Sequence, residues 1–145
     1  MSLPQRGDGV SEGEFIVERP NKQLSAEQYR ENLHATLKHI RSTYPYAVTV
    51  FLTPSTVETE TILAIEKGSG MPEHFWSYRT PERAKELAEV CKEVAKEEEI
   101  DCIDVFAMHE GKQDIFTDGL HYNADGYKVG RAIAVLISAC ERRID

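Results

Sequence analysis

The sequence predicts an α/β protein built on a parallel sheet. Three observations predict it. Helix-period and strand-like segments alternate from residue 25 to residue 143. The stretch AVTVFLT at 47–53 is continuously apolar and β-branched, as a strand covered on both faces is. Each strand-like segment is separated from the next by a stretch long enough for a right-handed crossover helix. Only two strands are predicted, beside three main helices. Two parallel strands make a poor sheet with both edges open, so the architecture reads as short of its leading strands.

The elements follow in order. Residues 1–23 carry Gly and Pro breaks and little periodicity, and only EFIVE within them has strand character, so they are expected to form a tail or extended arm. Residues 24–145 form the α/β unit. Ser25 and Gln28 make a capping-box pattern, and Tyr29, Leu33, Leu37 and Ile40 repeat at helical spacing, predicting a helix over 25–43 that stops before Pro45. Pro54 ends the 47–53 strand. Within 55–79, VETETILAIEKG predicts one or two helical turns and MPEHFWSY an excursion with aromatic anchors. The plainest helix is TPERAKELAEVCKEVAKEEE, capped by Thr80 with Pro81 in its first position. Leu87, Cys91 and Val94 are its expected buried stripe, flanked by Ala84, Ala88 and Ala95. Glu97 to Glu99 read as a solvated acidic run at an end where the helix dipole disfavours it. The second strand is IDCIDVF at 100–106, and a last helix spans 124–143. Its middle, AIAVLISAC, is apolar almost all round, which predicts a well-buried helix.

Composition narrows the function classes. With 25 acidic against 17 basic residues the net charge is -8, which argues against a phosphate-backbone partner and so against nucleic acid. No apolar run approaches the length needed to span a bilayer, and no signal peptide opens the chain. Cys91, Cys102 and Cys140 are odd in number, widely spaced and set among apolar residues, so they read as free thiols of a reducing, cytoplasmic compartment.

The candidate chemistry lies in TDGLHYNADGY at 117–127. In an open α/β sheet, sites form beyond the carboxyl ends of the strands. Thr53 and Ser55 follow the first strand there, and the loop after the second strand brings Asp118 and His121 to the same rim. An aspartate bonded to one imidazole nitrogen fixes the tautomer and stabilises the imidazolium, leaving the other nitrogen to accept a proton from a nucleophile. Taken alone, the DxxH spacing favours the plainer reading, an aspartate that satisfies turn amides and a histidine that packs on the helix. Asn123 is the expected cap of the last helix. Asp104, His109, Asp114, Asp118 and His121 together offer ligands for zinc or manganese, but no compact ligand spacing supports a metal, and no cofactor is expected. His34, His39 and His74 read as ordinary surface or helix residues.

The block DGLHYNADGY resembles the last conserved block of the GDSL-type esterases and lipases, the SGNH hydrolases. LSAEQYRENLHATLKHIR, VTVFLTPST and RAKELAEVCKEVAKEEEIDCIDVF resemble, in order, that family's later helices and strands, over roughly residues 24–143. Within that family the chain resembles the branch of isoamyl acetate-hydrolysing esterases. The resemblance implies a flavodoxin-like SGNH hydrolase fold, truncated to its carboxyl-terminal half. It implies His121 as general base and later general acid, Asp118 as its orienter, and a small carboxylic ester as substrate.

The family's nucleophile and oxyanion blocks have no counterpart here. In RGDGVSEG at 6–13, Gly9 stands where the serine belongs and no apolar strand precedes it. Ser55 lies on the proper rim but lacks the glycine elbow that permits the strained nucleophile turn, and reads as a turn or cap residue after Pro54. Each lost oxyanion donor costs about 10² to 10³ in rate, so little or no activity is expected of the chain alone. The alternative is a non-catalytic α/β module that binds a partner, or its own copy as a homodimer, through an open sheet edge.

Overall fold

The structure, a computed structural model, describes residues 24–112 and 114–141. The tail expected over 1–23 lies outside them. Helix α1, Ala26–Thr43, opens on the expected capping box: the Gln28 amide donates to Ser25 Oγ at 3.0 Å and the Ser25 amide to Gln28 Oε1 at 2.9 Å. Its inward face carries Leu37, fully buried, with Tyr29 and Leu33 half-buried beside it.

Strands β1, Val50–Leu52, and β2, Asp101–Ile103, pair in parallel, with Val50 opposite Asp101 and Leu52 opposite Ile103. The α/β class with a two-stranded parallel sheet is therefore as expected. Both strands are shorter than their apolar runs, and the reason is local. Asp104 follows β2 and caps helix α4, Val105–His109, by accepting from the Ala107 amide at 3.0 Å. Val105 and Phe106, expected in the strand, are thus helical. Between β1 and the next long helix lie α2, Thr59–Gly68, longer than the expected turns, and a 3₁₀ turn at Glu73–Phe75. The aromatic excursion after it is pinned by Trp76, whose indole N–H donates to the Met71 carbonyl at 2.9 Å.

Helix α3, Pro81–Glu97, is capped by Thr80 as expected, the Arg83 amide donating to Thr80 Oγ1 at 3.2 Å. It lies between α1 and the sheet, so its buried surface is wider than one stripe. Val90 is buried and Leu87 only half-buried. The main core joins Leu37, Phe51, Val90, Cys91, Val94 and Ala95. Cys91 and Cys102 are free thiols.

Three expectations are corrected. The acidic run at the end of α3 is not merely solvated. Glu98 accepts from Arg41 Nη1 at 2.5 Å and sits 2.7 Å from His34 Nδ1, while Glu97 lies 2.9 Å from Arg30 Nη1. These pairs clamp α1 to α3 across their exposed edge. His34, first beside it and then Arg41, holds the Glu98 carboxyl below its ordinary range. Next, β1 is not covered on both faces, for Leu52 remains 43% and Val48 48% exposed. Finally, helix α5, Ala124–Glu141, is not well buried: Val135 is 65% exposed, and among its described apolar side chains only Ile133 and Ile137 are half-buried. It touches β2, and the described residues supply no layer to cover its other faces.

Candidate active site at the carboxyl rim

The loop from 114 to 123 folds back on itself after α4. Phe116 and Tyr122 form an antiparallel bridge, the Thr117 amide donates to the His121 carbonyl at 2.8 Å, and the Asn123 amide donates to the Ile115 carbonyl at 2.9 Å. At its tip Gly119 has φ +82°, and its carbonyl accepts from the Glu58 amide at 2.8 Å. A Cβ there would stand 2.5 Å from the Glu58 carbonyl oxygen, so the glycine of DGLH is required by both conformation and contact. Asn123 caps α5 as expected, its Oδ1 accepting from the amides of Asp125 at 2.9 Å and Gly126 at 3.0 Å.

This turn brings Asp118 and His121 together. Asp118 Oδ1 accepts from the Leu120 amide at 3.0 Å and the His121 amide at 2.7 Å; Oδ2 faces His121 Nδ1 at 2.7 Å. The His121 amide, then its ring and the Leu120 amide, lower the Asp118 carboxyl from its ordinary 3.8 to about 2. An ionised carboxylate only accepts, so Nδ1 carries the proton donated to Oδ2, and in the neutral ring the lone pair is then on Nε2. The His121 side chain is 75% exposed at the rim. A cleft of ≈ 190 Å³ lies against Asp118, with Ile62, Ile65 and Leu120 among its walls.

A second polar cluster lies behind the loop. His109, at the end of α4, is fully buried. Its Nδ1 is 2.8 Å from Ser55 Oγ and 3.1 Å from the Tyr122 hydroxyl, and its Nε2 has no partner among the described residues. Burial, and then the charge of Lys112, lower its pKa below the ordinary value. Beside it Thr53 Oγ1 accepts from the Phe106 amide at 2.9 Å and donates to Asp104 Oδ1 at 3.2 Å, tying the end of β1 to the start of α4.

The residues singled out in the sequence therefore divide. Asp118 and His121 are in contact. Ser55 is on the same rim but is bonded to His109 instead of serving as a simple turn or cap residue. Asp104 is taken up by the α4 cap and by Lys92, whose Nζ lies 3.0 Å away. Asp114 is exposed, and its carbonyl accepts from the Asn123 side chain. Among the described residues no three His, Cys, Asp or Glu side chains gather as a metal cluster. Tyr122 escaped sequence reasoning. The available signal was its place directly after His121.

The model of the GDSL-like lipase/acylhydrolase family matches residues 20–129, more than half of the chain. No curated protein matches it significantly. Among solved structures, a lipase/acylhydrolase from Enterococcus faecalis is similar with a TM-score of 0.59 at 22% identity, over 79% of this chain and 52% of that one. The chain thus spans about half the length of that protein. The esterase domain of the ORF1 protein from the zebrafish ZfL2-1 retrotransposon is similar with a TM-score of 0.58 at 13% identity, over 96% of this chain and 91% of that domain. At these identities the likeness is one of fold.

Proposed function

The chain belongs to the GDSL-like lipase/acylhydrolase family, and from that premise we propose that it carries the base half of an ester-hydrolysing Ser-His-Asp triad. The observation that carries the reading is the 2.7 Å contact of His121 Nδ1 with the Asp118 carboxylate. In this reading His121 Nε2 takes the proton of a serine hydroxyl as it attacks the ester carbonyl. It then returns that proton to the departing alkoxide, while Asp118 holds the tautomer and balances the imidazolium. The substrate is a small carboxylic ester. The finer assignment is to the branch of isoamyl acetate-hydrolysing esterases, from the resemblance that runs over roughly residues 24–143.

We read the chain as the carboxyl-terminal half of that fold. The reading draws on the family blocks matched in order over residues 24–143 and on a sheet of only two strands among the described residues; the chain covers 52% of the Enterococcus faecalis protein but 91% of the zebrafish esterase domain. The one serine on the rim singled out from sequence has its hydroxyl on His109. Ser55 lacks the glycine elbow and the family's oxyanion blocks have no counterpart in the sequence, so little or no esterase activity is expected of the chain alone. Incubation with p-nitrophenyl acetate and a serine-directed phosphonate tests this. Turnover at the buffer rate and no adduct are expected; rapid turnover with an adduct on Ser55 would refute the inactivity.

A second reading is favoured by the exposure of Leu52 on β1 and of Val48 just ahead of it. There the chain is a non-catalytic module whose open β1 edge pairs with a second copy.

A further inference from the structure

His109 has no part in the chemistry above, yet it is a fully buried polar side chain in a small domain. A buried imidazole is retained where its bonds hold something in place. Its Nδ1 offers one lone pair or one proton, so Ser55 Oγ at 2.8 Å and the Tyr122 hydroxyl at 3.1 Å share a single site. Each hydroxyl belongs to a different part of the rim. Ser55 follows the end of β1. Tyr122 is the residue after His121, and its backbone bridges Phe116 within the loop. Its ring lies edge-on to His109, centroids 4.9 Å apart, and stacks on Phe116 at 5.6 Å. One end of Tyr122 is therefore in the backbone of the His121 loop and the other on His109.

We propose that His109 is a positioning residue: through Nδ1 it fastens the loop bearing His121, by way of Tyr122, to the sheet rim at Ser55. The loop is then held on both sides of His121, at Gly119 by the Glu58 amide and at Tyr122 by His109. Gly119 fixes the turn's height over α2, and Tyr122 fixes its approach to the strand ends. The inference rests on reading Asp118 and His121 as the base of an ester hydrolase, since only then does their placement against the sheet matter for function.

Amide hydrogen exchange on the full chain tests it. Tyr122→Phe removes only the phenol oxygen. It is expected to speed exchange of the Thr117 and His121 amides roughly three- to tenfold, the loss of about one hydrogen bond, and to leave the Cys91 and Val94 amides of α3 unchanged. His109→Phe is expected to act on the same amides, and the double variant to add nothing further. His109→Asn, which restores a polar atom at the position of Nδ1, is expected to slow exchange again. Unchanged loop amides in Tyr122→Phe, or equal acceleration of loop and α3 amides, would overturn the proposal. If His109→Phe does not fold, Tyr122→Phe and Ser55→Ala carry the test alone: additive effects of these two would refute a shared site. The ring ¹⁵N shifts of His121 in the unsubstituted chain report the functional reading separately. A neutral ring with its proton on Nε2 and none on Nδ1 defeats that reading and leaves the exchange result standing.

Discussion

At the scale of the residue, Asp118 carries a titration. Its carboxyl is lowered from 3.8 to about 2, chiefly by two backbone amides and the His121 ring. The folded state therefore binds fewer protons than the unfolded chain as pH falls. The stabilisation from these bonds is complete above pH 3.8 and is lost as pH drops from there towards 2. Asp118→Asn removes that titration. Urea midpoints measured from pH 5 to pH 2 are expected to lie higher in the unsubstituted chain at the upper end and to converge with the variant at the lower end. A gap that stays constant with pH would contradict the assignment. Asparagine also presents an N–H to the imidazole, which favours the wrong tautomer for a base. The Asp-x-x-His contact is local enough to be expected from the sequence: in a tight turn the carboxylate can reach both the turn amides and the ring three residues on. The Ser55–His109–Tyr122 cluster was not, since its members are 54 and 13 residues apart and meet only through the fold.

At the scale of the element, helix ends explain most boundaries, and one end is built against its own sequence. Helix α3 closes in a Schellman motif: the Ile100 amide donates to the Ala95 carbonyl at 3.0 Å and the Glu99 amide to the Lys96 carbonyl at 3.3 Å. That motif needs a left-handed residue after the cap, and Glu99 occupies it at φ 54°. A side chain there costs about 1 kcal/mol or more relative to glycine, offset in part by glycine's greater freedom in the unfolded chain. Glu99 is exposed, and its charge opposes the helix dipole. Glu99→Gly is therefore expected to stabilise the protein by about 0.5–1 kcal/mol, raising Tm by roughly 2–4 °C in a thermal melt. Unchanged or reduced Tm would show that the motif is not under that strain. Glu98 and Glu97 look like part of the same acidic run in sequence, but they pair with Arg30, His34 and Arg41 of a helix more than 50 residues earlier.

At the scale of the whole molecule, the described residues form a one-sided core. Helices α1 and α3 enclose the Leu37, Val94 and Phe51 cluster, while Leu52 on β1 and Val135 and Leu136 on α5 remain 40% or more exposed. Contiguous apolar surface and an unpaired strand edge favour association. On the second reading of function, sedimentation equilibrium is expected to show mass rising with concentration, and Leu52→Lys to suppress the rise by placing a charge on the strand. A single monomer mass at high concentration would count against edge pairing. No helix among the described residues is long and apolar enough to cross a membrane.

Local chemistry in the sequence determined where α1 and α3 begin, that their faces are amphipathic, that the two strands are parallel, and which turn holds an aspartate against a histidine. Capping, periodicity and glycine requirements act within a few residues, so they can be read along the chain. Tertiary structure alone decided what each apolar surface meets. The continuous apolarity of AVTVFLT and AIAVLISAC specifies surface that favours burial, but the partner layer that removes it from water lies elsewhere, and composition cannot say whether it is there. The same holds for His109, whose role depends on two hydroxyls that only the packed rim brings to one nitrogen.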